Sequence, residues 1–220
     1  MLNWAFIAEK APAYVKAAGL TLKLAGAGIA LSLVLGLLCA LALYYRVPVL
    51  RRAVAAYIEL SRNTPLLIQL FFLYFGLPKL GVMLSSWTCA LIGLTFLGGS
   101  YMAEAFRGGL DSVSKAQIEA GLSIGMRSLA LARHVALPQA FLVALPGLCA
   151  NSVFLIKETS IVSIVALPDL MFVARELIGL YYNTVEALGM LVFAYVVILL
   201  PVSWAFRSLE RRFRYAQLGT

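Results

Sequence analysis

The sequence contains no stretch of polar residues long enough to fold into a soluble domain, because its longest segment outside the apolar runs has about 30 residues. It also lacks the G-x-x-x-x-G-K-[ST] pattern of a phosphate-binding loop, which argues against a nucleotide site on this chain. Charged residues make up only 13% of the sequence. The sequence therefore predicts neither an ATPase domain nor another catalytic unit outside the apolar runs.

Residues that bind metals or act as nucleophiles are scarce. His134 is the single histidine of the chain, and we expect it at the surface beside Arg133. Cys39, Cys89 and Cys149 each lie inside an apolar run and lack the spacing of metal ligands. Cysteines in such runs behave as small buried hydrophobic residues. We predict no catalytic residue, no metal site and no cofactor.

Apolar residues, by contrast, are abundant: 62% of the chain is hydrophobic and the mean hydropathy is +0.92. A helix of about 20 apolar residues crosses the hydrocarbon layer of a membrane. Runs of that length predict an all-α polytopic membrane protein, a single transmembrane domain over 1–220. The predicted spans are 20–45, 53–77, 87–106, 138–156 and 185–206. Pro65 should break the second span, and we expect 157–184 to be re-entrant or interfacial.

The net charge of +8 does not indicate nucleic-acid binding, because the basic residues lie mostly beside the predicted spans. Five spans place the two termini on opposite sides of the membrane. The larger share of the 18 lysines and arginines then falls on the side of the C-terminus. The positive-inside rule thus predicts an outer N-terminus and a cytoplasmic C-terminus. It also places the polar segment 107–137 in the cytoplasm.

The polar segment 107–137 is rich in helix-forming residues, and Gly125 stands where one short helix can end and another begin. Ile118, Leu122 and Ile124 are too many apolar residues for a solvated loop. A short helix with apolar and charged residues suits docking into a groove of another protein. It also suits a position on the membrane surface, and the chemistry of the residues leaves both alternatives open.

The run EAGLSIGMRSLALARHVALP, which begins at Glu119, resembles the EAA motif of ATP-binding-cassette (ABC) importer permeases. Gly121 stands where the motif has alanine and Val135 where it has isoleucine. Gly121 should loosen the helix, because glycine costs about 1 kcal/mol relative to alanine in a helix interior. The resemblance implies a cytoplasmic helix that docks into an ATPase subunit. The residues it assigns to ATPase coupling are Glu119, Ala120, Gly121, Gly125, Leu137 and Pro138.

Three further stretches resemble permeases for polar amino acids of the histidine, glutamine and arginine type. They are SRNTPLLIQLFFLYFGLP, SYMAEAFRGGLDSVSKAQIEAG and LIKETSIVSIVALPDLM, and they cover most of 61–171. The resemblance implies the MetI-like transmembrane fold of a type I ABC importer in the bacterial cytoplasmic membrane. It also implies four kinds of partner: ATPase subunits that bind the ATP, a second permease chain, an extracytoplasmic solute-binding protein and an amino acid substrate.

Ionisable residues at membrane depth usually mark a solute path. Lys157 and Glu158 end the fourth predicted span, and a neighbouring cation and anion match the two charges of an amino acid. The same pair can also be an ordinary interfacial pair with a snorkelling lysine. Glu59, Arg62 and Glu104 suit structural pairs near the cytoplasmic face or gate, and direct contact with the solute is the alternative for them. The predicted substrate-binding residues are Lys157, Glu158, Asn151, Thr159, Ser160 and Thr64.

Asn151 is uncharged, which favours glutamine or glutamate over arginine as the solute. The leading interpretation is the permease subunit of an ATP-driven amino acid importer that works by alternating access. The alternative is a self-sufficient secondary amino acid transporter or channel. A membrane anchor that moves no solute is disfavoured by the charges at membrane depth.

Overall fold

The protein is described by a computed structural model that covers residues 2–45 and 48–218, with side chains up to Phe213. These residues form helices joined by short turns, without a strand among them, which confirms the all-α prediction. The α-helices are α1 (Trp4–Tyr44), α2 (Pro48–Asn63), α3 (Leu66–Phe71), α4 (Ser86–Asp111), α5 (Lys115–Ser123), α6 (Ser128–Leu131), α7 (Leu137–Glu158), α8 (Leu170–Tyr181) and α9 (Thr184–Leu218). A π-helical turn and a 3-10 turn extend α3 to Leu80, another π-helical turn joins α6 to α7, and a 3-10 helix (Thr159–Val165) follows α7.

Four helical segments of the described chain are long and apolar enough to cross a membrane: Trp4–Tyr44, Ser86–Asp111, Ser128–Val165 and Thr184–Phe213. A shorter apolar segment, Leu66–Leu80, accompanies them. The second predicted span, 53–77, is therefore made of two helices, α2 and α3, which are separated at Thr64 and Pro65. Proline lacks a backbone donor and disfavours helical geometry in the residue before it, which explains the break.

Helices α1, α4 and α7 form the centre of the fold. Leu24, Leu94, Met102 and Leu155 are fully or almost fully buried where these helices meet. Small residues allow the close approach, as is usual for helices in lipid. At Gly98 of α4, for example, an added Cβ would lie 2.6 Å from the side chain of Leu155. The three cysteines are free and buried in this apolar interior, as the sequence predicted.

Helix α1 begins well before the predicted span at residue 20, because its first turns have partners of their own. The hydroxyl of Tyr14 donates to the carbonyl of Ala187 at 2.7 Å, and the Asn3 amide donates to Glu186 at 2.9 Å. Phe6 packs edge-on against Tyr181 at 5.6 Å between ring centroids. The start of α1 therefore forms a second small core with α8 and α9.

Helix α2 has one apolar face and one charged face, and a polar contact attaches it to α4. The hydroxyls of Tyr57 and Ser61 both donate to the carbonyl of Phe96, at 2.7 and 2.9 Å. Ser61 also lies 3.0 Å from the hydroxyl of Ser100. Gly99 permits this approach, since an added Cβ would stand 2.6 Å from the Tyr57 hydroxyl. The orientation of α2 is thus fixed by hydroxyl groups as well as by apolar packing.

Candidate solute site and coupling segment

The side chain of Gln69 lies within hydrogen-bond distance of the backbone at the break between α2 and α3. Its amide nitrogen lies 3.2 Å from the carbonyl oxygen of Ser61, 3.1 Å from that of Thr64 and 2.9 Å from the Thr64 hydroxyl. The Thr64 hydroxyl itself donates to the Leu60 carbonyl at 2.8 Å. The Thr64 hydroxyl, which was predicted to contact the solute, therefore already has hydrogen-bond partners within the chain. Gln69 lies within the run SRNTPLLIQLFFLYFGLP that resembles polar amino acid permeases, so the sequence did contain a signal for it.

The four residues at the end of α7 differ in accessibility. Lys157 is exposed and Glu158 is half-buried, and neither forms an ion pair within the described part of the chain. Ser160 is half-buried, whereas Thr159 is fully buried and donates its hydroxyl to the Ile156 carbonyl at 2.7 Å. Lys157, Glu158 and Ser160 are thus the members of this group that a solute can reach.

Asn151 and Thr64 are connected to the end of α7 by packing between neighbouring helices. The amide of Asn151 donates to the carbonyl of Tyr101 at 3.1 Å, and the Tyr101 ring packs against Phe154 at 5.3 Å. Helix α3, which follows Thr64, packs directly on the 3-10 helix that contains Ser160. The fold therefore brings the predicted solute residues of two distant sequence segments to neighbouring elements.

Asp169, which was not predicted, is fully buried just outside the spanning segments. One carboxylate oxygen caps α8 by accepting from the Phe172 amide at 2.9 Å, whereas the other has no partner within the described residues. Burial raises the pKa of Asp169 to about 6, an effect that hydrogen bonds from backbone amides partly offset. An aspartate directly before an apolar helix is a recognisable N-cap signal, so the sequence did contain the information for this role.

The coupling segment folds as the sequence predicted, into two short helices joined at Gly125. Gly125 has a φ of +81°, and its amide donates to the Leu122 carbonyl at 2.9 Å. The next amide, of Met126, donates to the Gly121 carbonyl at 3.0 Å. A left-handed glycine with these two bonds is a standard way to end a helix. Helix α7 then begins at Leu137, with Pro138 in its first turn.

The coupling segment exposes the charged Glu119 and several apolar residues. Glu119 and Ala120 are exposed, and the apolar Ile124 and Leu129 are about four-fifths exposed, at 80% and 81%. Gly121 is buried, and the Leu131 side chain fills the place where a Cβ would project. The glycine that the sequence suggested would loosen α5 is thus the contact through which α6 packs on it.

A charged cavity of about 930 Å³ lies between α2, α4 and α5. Glu104 of α4 pairs with Arg62 of α2 at 3.3 Å and with Arg107 of its own helix at 3.0 Å. Arg107 also pairs with Asp111 at 3.5 Å, and the Arg62 guanidinium lies 5.1 Å from the centre of the Tyr101 ring. Of the three ionisable residues Glu59, Arg62 and Glu104, the last two form an ion pair with each other. Glu59 lines the cavity and forms no ion pair among the described residues.

Comparison with known proteins identifies the family. Residues 32–215 match the family described as "Binding-protein-dependent transport system inner membrane component". The chain belongs to this family. The permease is 34% identical to the probable amino-acid ABC transporter permease protein PatM of Vibrio harveyi, over 94% of this chain and 96% of PatM. It is 30% identical to the glutamine transport system permease protein GlnP of Escherichia coli K12, over 96% of this chain and 98% of GlnP.

Solved structures agree with this family. The permease superposes with a TM-score of 0.90 and 29% identity on a chain from a crystal structure of an amino acid ABC transporter with histidines, covering 96% of this chain and 99% of that one. It shares the fold of a chain of the inward-facing MetNI methionine ABC transporter, with a TM-score of 0.77, 19% identity and coverage of 91% and 95%. The predicted fold is confirmed. The protein is an ABC importer permease subunit, a multi-pass inner-membrane component, and ATP hydrolysis belongs to a separate ATPase subunit.

Proposed function

We propose that this permease carries a polar amino acid into the cytoplasm, and that α5 and α6 transmit the motion of the ATPase subunits to it. The observation that supports the coupling role most directly is the exposed α5–Gly125–α6 unit. It exposes Glu119 together with the apolar side chains of Ile124 and Leu129. Exposed apolar residues around a charge on a short helix are what docking into a groove requires.

The proposed orientation has the N-terminus outside and the C-terminus in the cytoplasm, so that α5 and α6 meet ATPase subunits there. A second permease chain, identical or related, would enclose the path with this one. An extracytoplasmic binding protein would deliver the solute from the other side. The names of PatM, GlnP and the solved amino acid transporter support an amino acid as the solute.

Lys157 and Glu158 are the proposed solute-binding pair, and Ser160 is a further proposed contact. The remaining proposed members of the site are Asn151, Thr159 and Thr64. Both charges lack an ion-pair partner among the described residues, and Lys157 is exposed. A zwitterion supplies one partner to each of them. Opposite charges attract more strongly where water is partly excluded, as at the half-buried Glu158, than they do in bulk water.

The experiment that tests the function is purification of the intact complex from native membranes in mild detergent, followed by ATP-driven uptake in proteoliposomes. We expect an ATPase subunit to co-purify with the wild type and to be lost from Glu119→Lys. A panel of radiolabelled amino acids then identifies the solute. Lys157→Gln should keep the ATPase subunit and lose uptake. A chain that purifies alone and still concentrates an amino acid would refute the proposal.

A further inference from the structure

We propose that the charged cavity between α2, α4 and α5 is a second, transient binding site for the amino acid, in which Arg62 binds its carboxylate and Glu59 its ammonium before release to the cytoplasm. The inference rests on the proposed function, because it takes the solute to be a zwitterion. It concerns residues that lie outside the group at the end of α7.

The size and the charges of the cavity suit a small charged solute. Its volume of about 930 Å³ lies within the range of about 300–1,000 Å³ that is usual for small-molecule sites. Basic and acidic side chains from α2, α4 and α5 line it. Tyr101 of α4 lines one part of the cavity, and Glu119 of the coupling segment lines another. The cavity therefore connects the interior of the helix bundle with the segment proposed to meet the ATPase.

Tyr101 places the cavity next to the proposed solute pair. Its carbonyl accepts from Asn151, and its ring contacts Phe154 of α7 on the way to Lys157. Glu158 follows Asn151 by seven residues, which is about two turns of the same helix face and roughly 10 Å along the axis. In the proposed orientation, a solute that leaves Glu158 towards the cytoplasm along this face moves towards Tyr101 and the cavity that it lines.

Arg62 can accept a new anion without leaving a charge unpaired. Its present partner, Glu104, is shared with Arg107, and Arg107 has a further partner in Asp111. If Arg62 turns to a solute carboxylate, Glu104 keeps Arg107 at 3.0 Å. An orphaned charge in a partly buried site is the main cost of breaking an ion pair, and this arrangement avoids it. The guanidinium side chain is 41% exposed, so the solute can reach it.

Glu59 provides the opposite charge at the right place. It precedes Arg62 by three residues on α2, which puts both side chains on one face of the helix. Both line the cavity, and Glu59 forms no ion pair with any residue that the structure describes. An ammonium group would give Glu59 the partner that it lacks, while the carboxylate of the same molecule meets Arg62.

The test uses the whole transporter in proteoliposomes, with the amino acid that the uptake panel identifies. Vesicles are loaded with ATP and with increasing amounts of that amino acid unlabelled, and uptake of the labelled form is measured. Internal amino acid should slow wild-type uptake by occupying the cavity. In Arg62→Gln and in Glu59→Gln, the concentration for half-inhibition should rise about ten-fold, the usual effect of losing one charge-assisted hydrogen bond.

Three controls separate a specific site from general electrostatics. Arg51→Gln removes the same charge from the lining of the same cavity and should leave half-inhibition unchanged. The α-carboxamide of the amino acid keeps the ammonium but lacks the carboxylate, and it should not inhibit the wild type. Arg62→Lys keeps the charge and should restore part of the inhibition.

The outcomes distinguish this inference from the proposed function. If no amino acid is taken up, the function is refuted and this site is refuted with it. If uptake occurs but internal amino acid does not slow it, only the second site is refuted. Equal inhibition by the carboxamide, or an equal effect of Arg51→Gln and Arg62→Gln, would also overturn it. Glu59→Gln breaks no ion pair of the described residues, so its result stands even if Arg62→Gln assembles poorly.

Discussion

Gly36 of α1 lies so close to Met102 of α4 that a Cβ at residue 36 would stand 2.5 Å from the Met102 Cβ and 2.9 Å from its carbonyl carbon. These atoms belong to the backbone and the first side-chain carbon, so they cannot move aside without shifting a helix. The contact sets the distance between the two helices at the centre of the fold.

Gly36→Ala should therefore push α1 and α4 apart and destabilise the protein by about 1–3 kcal/mol, the usual cost of overpacking. Gly26→Ala in the same helix is the matched control, because nothing lies within 4 Å of its added Cβ. The measurement is the melting temperature of the detergent-solubilised complex by size-exclusion fluorescence. Similar melting temperatures for the two variants would show that the contact is looser than described.

The hydroxyl of Tyr57 should contribute to the attachment of α2. Tyr57→Phe keeps the ring and removes the donor to the Phe96 carbonyl, so we expect a loss of about 1 kcal/mol in stability. Tyr182→Phe is the control, since Tyr182 is 85% exposed. Limited proteolysis of the α1–α2 connection measures the attachment directly. Faster cleavage in the control than in Tyr57→Phe would contradict the assignment.

The left-handed turn at Gly125 should be required for coupling rather than for folding of the whole chain. Gly125→Val places a β-branched residue at positive φ, which costs about 1–2 kcal/mol locally. Asparagine tolerates this conformation and is the conservative comparison. We expect ATP-driven uptake to fall strongly in Gly125→Val and only slightly in Gly125→Asn, with equal amounts of both proteins in the membrane. Equal uptake by the two variants would exclude a need for this turn.

Asp169 should make stability depend on pH. Its pKa in the fold, about 6, lies above the ordinary value of 3.8, so the folded state binds the proton more tightly than the unfolded state does. The free energy of unfolding then falls as the pH rises from about 4 to about 6 and stays low above that range. The loss is on the order of 2–3 kcal/mol.

Asp169→Asn keeps an acceptor for the Phe172 amide and removes the charge. We expect this variant to melt at a higher temperature than the wild type near about pH 8, and the difference to disappear near about pH 4. Asp169→Ala loses the helix cap and serves as the comparison. A wild-type melting temperature that rises between these two pH values would contradict the raised pKa.

Local signals in the sequence predicted much of this structure. Pro65 predicted the break and Pro138 the start of α7, because proline restricts the backbone. Gly125 predicted the turn between α5 and α6, because glycine readily adopts the left-handed conformation that ends a helix. Hydropathy could not predict the early start of α1, since the turns around Tyr14 are stabilised by α8 and α9, distant in sequence. Lys157 and Glu158 were recognisable in the sequence from their charges. The proximity of Arg62, Glu104 and Tyr101 was not, because it depends on how α2 packs against α4, a contact between segments distant in sequence.

The amide of Gln69 has a mechanical consequence for the permease. Where α2 ends, the carbonyl groups of Ser61 and Thr64 lie within hydrogen-bond distance of a side chain rather than of the next helical turn. A side-chain amide can follow small rotations that a continuous helix would resist. The carbonyls of Ser61 and Thr64 therefore keep a hydrogen-bond partner where the helix is interrupted, as backbone at membrane depth requires. A substitution that removes the Gln69 amide would leave both carbonyls without this donor.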